Sequence, residues 1–234
     1  MTSARRDAWV LSLLTAVTSV VSVYMVHLHR ATWLEAFSFV TGALCVWLTV
    51  KESVWNFPIS LANVIAFGIV FAKARLFADA GLQAVYFVLT LQGWYLWLWG
   101  GEGRTALHIS RTPRREMIVV ALAGALMTAG LTMYLRHVAD AMPFWDAFTT
   151  AISLCAQWLL NRKYLENWQY WIAVDVLYVP MYAFKDLYLT SLLYAVFLAM
   201  ATMGLLEWQR RWRGQTSPRP INDVALASAT EAAA

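Results

Sequence analysis

Eight apolar runs, divided by short polar or charged breaks, fill most of this chain. They cover roughly 8–28, 34–50, 56–73, 81–100, 116–135, 141–160, 168–184 and 187–207. A helix rises 1.5 Å per residue, so about 20 apolar residues cross a hydrocarbon core of about 30 Å. Each run meets or approaches that length and is too long for a strand. The pattern predicts an all-α polytopic membrane protein. Pro58 and Pro180 sit within or beside two of the runs. The first run follows Arg5 and Arg6 as a signal peptide would, but it is too long, and no small-residue cleavage site follows His27-Leu28-His29-Arg30. It reads as a retained transmembrane helix. The segment after Trp212 is polar, then Ala-rich, and is expected to be disordered.

Composition strengthens this reading. Hydrophobic residues make up 60% of the 234 positions and charged residues 14%, against about 25% charged in soluble domains. A soluble fold of this size lacks the interior to hide so much apolar surface. The net charge of +4 is carried in short loops between apolar runs, so nucleic acid is excluded as a partner. Cys45 and Cys155 both lie inside apolar runs, which argues against a disulfide framework. None of His27, His29, His108 or His137 pairs with a cysteine or carboxylate at ligand spacing, so no metal is expected, and no cofactor. The chain shows no Gly-rich phosphate loop, zinc motif or convergent Ser/His/Asp set, so it reads as a non-enzyme.

Loop charge sets the orientation. With eight spans, thirteen Lys and Arg residues fall on the side that holds both termini and five on the other. Both termini are therefore expected in the cytoplasm.

The chain also repeats itself. Segment 33–97 aligns with 144–208 without a gap and gives thirteen identities. They include Trp47/Trp158, Asn56/Asn167, Gly93/Gly204 and Trp97/Trp208, with Lys51/Arg162 as a matched charge. Apolar composition alone would yield about half as many. Each repeat holds three helices, and one helix links them. The single linker restores the direction that three helices reverse, so the repeats are parallel, related by an axis along the membrane normal. The organisation read from this is 1–30 tail and extra transmembrane helix, 31–101 first repeat, 102–138 basic cytoplasmic loop and linking helix, 139–211 second repeat, and 212–234 tail. Transporters of this kind place substrate near the midplane between repeats. A duplicated scaffold or receptor without transport is the other reading.

Polar groups inside the membrane are costly and ask for a reason. Trp168, Trp171, Asp175, Tyr178 and Tyr182 are spaced three, four, three, four and share one helical face. Asn56 and Asn63 share another, Gln83, Tyr86, Thr90, Trp94 and Trp97 a third, and Thr150, Ser153 and Gln157 a fourth. Most of these polar positions are unmatched between repeats: Asp175 aligns with Val64, Asn63 with Val174, Gln157 with Val46 and Gln83 with Tyr194. Asymmetric polar groups on a symmetric scaffold suit an asymmetric ligand. Aromatic faces beside a carboxylate favour a flat cationic ring, and Asn and Gln suit amides and sugar hydroxyls. Bland roles stay open at several positions. Asp175 could pair with Lys185 or a backbone group, and Gln157 could bond a neighbouring helix. Tyr178 and Tyr182 could be packing residues, and Trp47, Trp97, Trp99, Trp158 and Trp208, near helix ends, suit an interfacial belt.

Trp55-Asn56-Phe57-Pro58, Asn63, Ala78-Asp79-Ala80-Gly81-Leu82-Gln83, Tyr86-Phe87 and Gly93-Trp94-Tyr95-Leu96-Trp97 follow one another in the first half. The second half carries Gln157-Trp158, Glu166-Asn167-Trp168, Trp171, Asp175, Tyr182-Ala183, Lys185, Leu187-Tyr188-Leu189-Thr190 and Tyr194. In order and spacing this resembles the PnuC family of bacterial nicotinamide riboside transporters, over nearly all of the chain up to about 212. The resemblance implies an inner-membrane carrier with a SWEET-like helix arrangement, working by facilitated diffusion, with a cytoplasmic kinase trapping the nucleoside. It implies ligand contacts at Trp55, Asn56, Asn63, Gln83, Tyr86, Trp94, Gln157, Asn167, Trp168, Trp171, Asp175 and Tyr182. It also brings in homo-trimers, which occur in the family, and relatives that carry thiamine, riboflavin or other nucleosides. Gly81, Gly93, Pro58, Gly204 and Pro180 are candidate bend points for alternating access.

Overall fold

A computed structural model of the chain describes residues 3–28, 33–73, 77–138, 142–184 and 188–216. These form eight α-helices: α1 Ser3–His27, α2 Trp33–Val50, α3 Asn56–Lys73, α4 Phe77–Trp99, α5 Arg114–His137, α6 Pro143–Asn161, α7 Asn167–Phe184 and α8 Tyr188–Thr216. Each expected apolar run is one of these helices. Lys185, Leu187 and the tail beyond 216 lie outside the described residues.

α5 is both apolar and little enclosed. α5 has a mean hydropathy of 2.0 over its best window, of which only 11% is buried. Leu122, Leu126 and Met133 are 60%, 73% and 75% exposed. Its 24 residues span about 36 Å at 1.5 Å per residue, enough to cross a bilayer core. An apolar surface of that extent is stable in lipid and not in water.

Six helices enclose the centre. α2, α3 and α4 pack in sequence, as do α6, α7 and α8, while α2 reaches α8 and α4 reaches α6. α1 lies against α2, and α5 against α6. The largest buried cluster sits where α2 and α6 end and α3 and α7 begin, around Val50, Phe57, Trp97, Leu160, Trp168 and Trp208.

Contacts there recur at matched positions of the two aligned segments. Trp97 Nε1 donates to the Leu160 carbonyl at 3.2 Å, and Trp208 Nε1 to the Thr49 carbonyl at 3.2 Å. Phe57 meets Trp97 edge-on at 5.1 Å, and Trp168 meets Trp208 edge-on at 5.4 Å. Lys51 lies over Trp47, and Arg162 over Trp158. Glu52 and Lys163 both turn the chain at positive φ, 57° and 51°. Members of a pair also touch: Trp97 and Trp208 have ring centroids 6.0 Å apart, and Lys163 Nζ is 3.0 Å from Glu52 Oε1.

The tryptophans expected in an interfacial belt are, in part, interior. Trp47, Trp97 and Trp208 are 5%, 1% and 0% exposed. Helix ends leave backbone carbonyls without intrahelical partners, and Thr49 and Leu160 offer theirs in the last turns of α2 and α6 to the two indoles. A need for an acceptor, as well as a preference for headgroups, puts tryptophan near a helix end.

The loop between α4 and α5 straps this end. Ser110 exchanges backbone hydrogen bonds with Lys163 and Leu165, and Glu166 accepts from both the amide and the hydroxyl of Thr112. Glu116 accepts from Tyr164 Oη at 2.8 Å and from Trp158 Nε1 at 3.1 Å, and pairs with Arg162. Burial and the bond to Glu116 push the Tyr164 phenol up to about 12.

Candidate functional site

A cavity of about 510 Å³ opens between α2, α3, α4, α6, α7 and α8, within the range of small-molecule sites. Its base is formed by Phe57, Leu160, Trp168 and Ala201, all four in the buried cluster that also holds Trp97 and Trp208. Helical spacing delivers the polar groups. Asn56, Ser60 and Asn63 lie four and three residues apart on α3 and line it together. Cys45 and Thr49 come from α2, Tyr86 and Thr90 from α4, Ser153 and Gln157 from α6, and Tyr194 from α8. α7 contributes Trp168, Trp171, Asp175 and Tyr178 at intervals of three and four.

Three features of the lining call for a ligand. Asn56 Nδ2 and Trp168 Nε1 are buried donors without a hydrogen-bond partner among the described residues, each costing about 1–3 kcal/mol if left so. Asp175 is 4% exposed, and among the described residues no hydrogen bond or ion pair reaches its carboxylate. Trp168, Trp171, Tyr86, Tyr178 and Tyr194 also line the cavity, and aromatic faces attract a cation. A molecule that is flat, cationic and rich in acceptors would satisfy all three. No group of three or more His, Cys, Asp or Glu side chains is placed to hold a metal among the described residues.

Seven of the residues expected to meet ligand line the cavity: Asn56, Asn63, Tyr86, Gln157, Trp168, Trp171 and Asp175. The other five do not. Trp55 is 69% exposed in the turn before α3. Trp94 packs against the buried cluster. Asn167 is fully buried, and its amide donates to the Tyr164 carbonyl at 2.6 Å. Tyr182 stacks on Tyr194 at 5.1 Å, one ring removed from the lining. Gln83 sits beside Gly68 on the α3–α4 contact. Cys45 and Ser60 line the cavity, joined at 3.3 Å, without having been singled out. The i, i+4 stripe Thr41-Cys45-Thr49 was the signal for α2.

Helices with a lipid-exposed apolar surface around a central, partly polar cavity define a multi-pass membrane transport protein. Residues 32–210 match the family described as nicotinamide mononucleotide transporter, and the chain belongs to that family. It is similar to the nicotinamide riboside transporter PnuC of Escherichia coli (strain K12), with 30% identity over 206 residues, 77% of this chain and 86% of that protein. It is also similar to the riboflavin/roseoflavin transporter RibM of Streptomyces davaonensis, with 24% identity over 191 residues, 80% of this chain and 89% of that protein. Among solved structures it resembles the crystal structure of the vitamin B3 transporter PnuC, with a TM-score of 0.67 and 25% identity, covering 90% of this chain and 92% of that one.

Proposed function

We propose that this chain carries nicotinamide riboside across the bacterial inner membrane by facilitated diffusion, both termini facing the cytoplasm. The observation that carries the reading is Asp175 in an aromatic cavity beside two buried donors, all three without a partner among the described residues. The pyridinium ring supplies the cation, and its carboxamide and ribose supply the acceptors. Asn56, Asn63, Tyr86, Gln157, Trp168, Trp171 and Asp175 are the contacts to test first. Trp55, Gln83, Trp94, Asn167 and Tyr182 would meet ligand only in another conformation.

The mechanism we propose is alternating access between two parallel three-helix units, α2–α4 and α6–α8, in a SWEET-like 3+1+3 arrangement with α5 as linker and α1 as an extra helix. The contacts that recur at matched positions of the two units support it. The Glu52–Lys163 pair joins the two units beneath the cavity, so rocking that opens this end must break it. Arg211 of α8 also pairs with Glu52, at 3.0 Å. Phosphorylation by a cytoplasmic kinase would trap the nucleoside inside. The functional unit we propose is a homo-trimer in the bilayer.

Riboflavin is the second reading, favoured by the likeness to RibM. Calorimetric titration of the purified protein with nicotinamide riboside, thiamine and riboflavin separates the ligands. Tightest binding of nicotinamide riboside is the expected result, and a preference for either of the others reassigns the substrate.

A further inference from the structure

We infer that Asn161, which does not line the cavity, decides which end of the Gln157 side chain meets the ligand. The inference rests on the proposed substrate reading only for the choice of probe. Asn161 is completely buried at the end of α6. Its Nδ2 lies 2.7 Å from the Leu89 carbonyl and 3.4 Å from Gln92 Oε1, both on α4. A backbone carbonyl can only accept, so the Asn161 amide nitrogen must face α4. Its Oδ1 lies beside Gly93 and accepts from Gln157 Nε2, one turn earlier on α6, at 2.9 Å. That bond engages one of the two Gln157 N–H groups and holds the nitrogen end of the amide toward Asn161. The Gln157 oxygen is the amide end left for the cavity that this side chain lines.

The chain of bonds runs from a backbone atom that cannot flip to a side chain that otherwise could. It turns Gln157 from an amide free to point either end at the cavity into one held with its oxygen away from Asn161. With the Asp175 carboxylate, the second half of the chain then presents acceptors to the cavity. Asn56 Nδ2 in the first half and Trp168 Nε1, at the base but also on α7, are donors without a partner among the described residues. A ligand that meets the Gln157 oxygen and the Asp175 carboxylate must offer donors there and acceptors to Asn56 and Trp168.

Two details show that the relay is built into the packing. Gly93 on α4 leaves the space it needs, because a Cβ there would collide with Asn161 Oδ1. Val50 stands at the matching position of α2, so the first half has no such device.

A double-mutant cycle on the full-length protein in detergent tests this, with nicotinamide riboside affinity as the readout. Asn161→Leu should weaken binding about tenfold and Gln157→Leu at least as much. The double variant should bind no worse than Gln157→Leu alone, because the effect of Asn161 passes through Gln157. Effects that multiply would make Asn161 an independent packing residue and overturn the inference. Polarity is tested by rescue. Gln157→Glu should bind poorly while Asn161 Oδ1 opposes the carboxylate, and should recover in the Asn161→Leu background. Weak binding in both backgrounds would mean that Gln157 donates to the ligand, which overturns the assignment. Asn161→Ala serves the same cycle if Asn161→Leu does not fold. A wild-type protein that binds riboflavin or thiamine instead overturns only the substrate reading, and the cycle is run with that ligand. Binding none of the three overturns both.

Discussion

The two triplets of helices, α2–α4 and α6–α8, agree where they close and differ where they could recognise. At the base of the cavity they share a tryptophan bonded to the other triplet's helix end, a ring packed edge-on against it, and a left-handed turn. In the cavity itself Asp175 faces a triplet with Val64 at the matching position, Trp171 is matched by Ser60, and Gln157 by Val46. Closure asks for geometry that repeats, because each half must meet the other in the same way. Recognition of a molecule without symmetry asks for groups that do not repeat.

The largest effect should come from an unmatched pair. Trp171→Ala is expected to lower nicotinamide riboside affinity about 100-fold or more, by loss of stacking area and of the π face. Ser60→Ala, at the matching position, should change it less than about threefold. Similar losses at both sites, measured by calorimetry, would break the division between matched closure and unmatched recognition. Next comes the central ion pair. Lys163 is 8% and Glu52 16% exposed at the side chain. Removing one partner of a pair this enclosed leaves a charge behind, so Glu52→Gln should cost about 2–3 kcal/mol in detergent unfolding.

A smaller effect sharpens the comparison. Trp97→Phe and Trp208→Phe each delete one indole bond of 3.2 Å to a helix-end carbonyl. Each should cost about 1 kcal/mol, and the two losses should agree to within about 0.5 kcal/mol. The smallest effect lies outside the triplets' shared contacts. Folding raises the Tyr164 phenol from an ordinary 10.0 to about 12, so its contribution is complete below pH 10 and is lost as pH rises through about 12. Tyr164→Phe should flatten that part of a stability–pH profile and change neutral-pH stability by about 1 kcal/mol or less.

The apolar runs made the helices legible, because lipid demands length and continuity and both are written locally. The α7 face was legible for the same local reason: Trp168, Trp171, Asp175 and Tyr178 follow the helical period and all line the cavity. What stayed hidden depends on contacts between distant segments. Gln83 and Tyr86 are three apart on α4, yet only Tyr86 reaches the cavity, because Gln83 meets Gly68 at the seam with α3. Asn56 and Asn167 are matched residues at matched helix starts. Asn56 lines the cavity while Asn167 is closed over and turned to Tyr164. Asn161 could not be read at all, since its role follows from a carbonyl 72 residues away.

Uptake of labelled nicotinamide riboside into proteoliposomes that hold the purified protein, with no ion gradient imposed, measures the proposed transport itself. The account predicts saturable entry that stops at equal concentrations on both sides and is lost in Trp171→Ala. Entry that requires a proton or sodium gradient, or binding without entry, would contradict it.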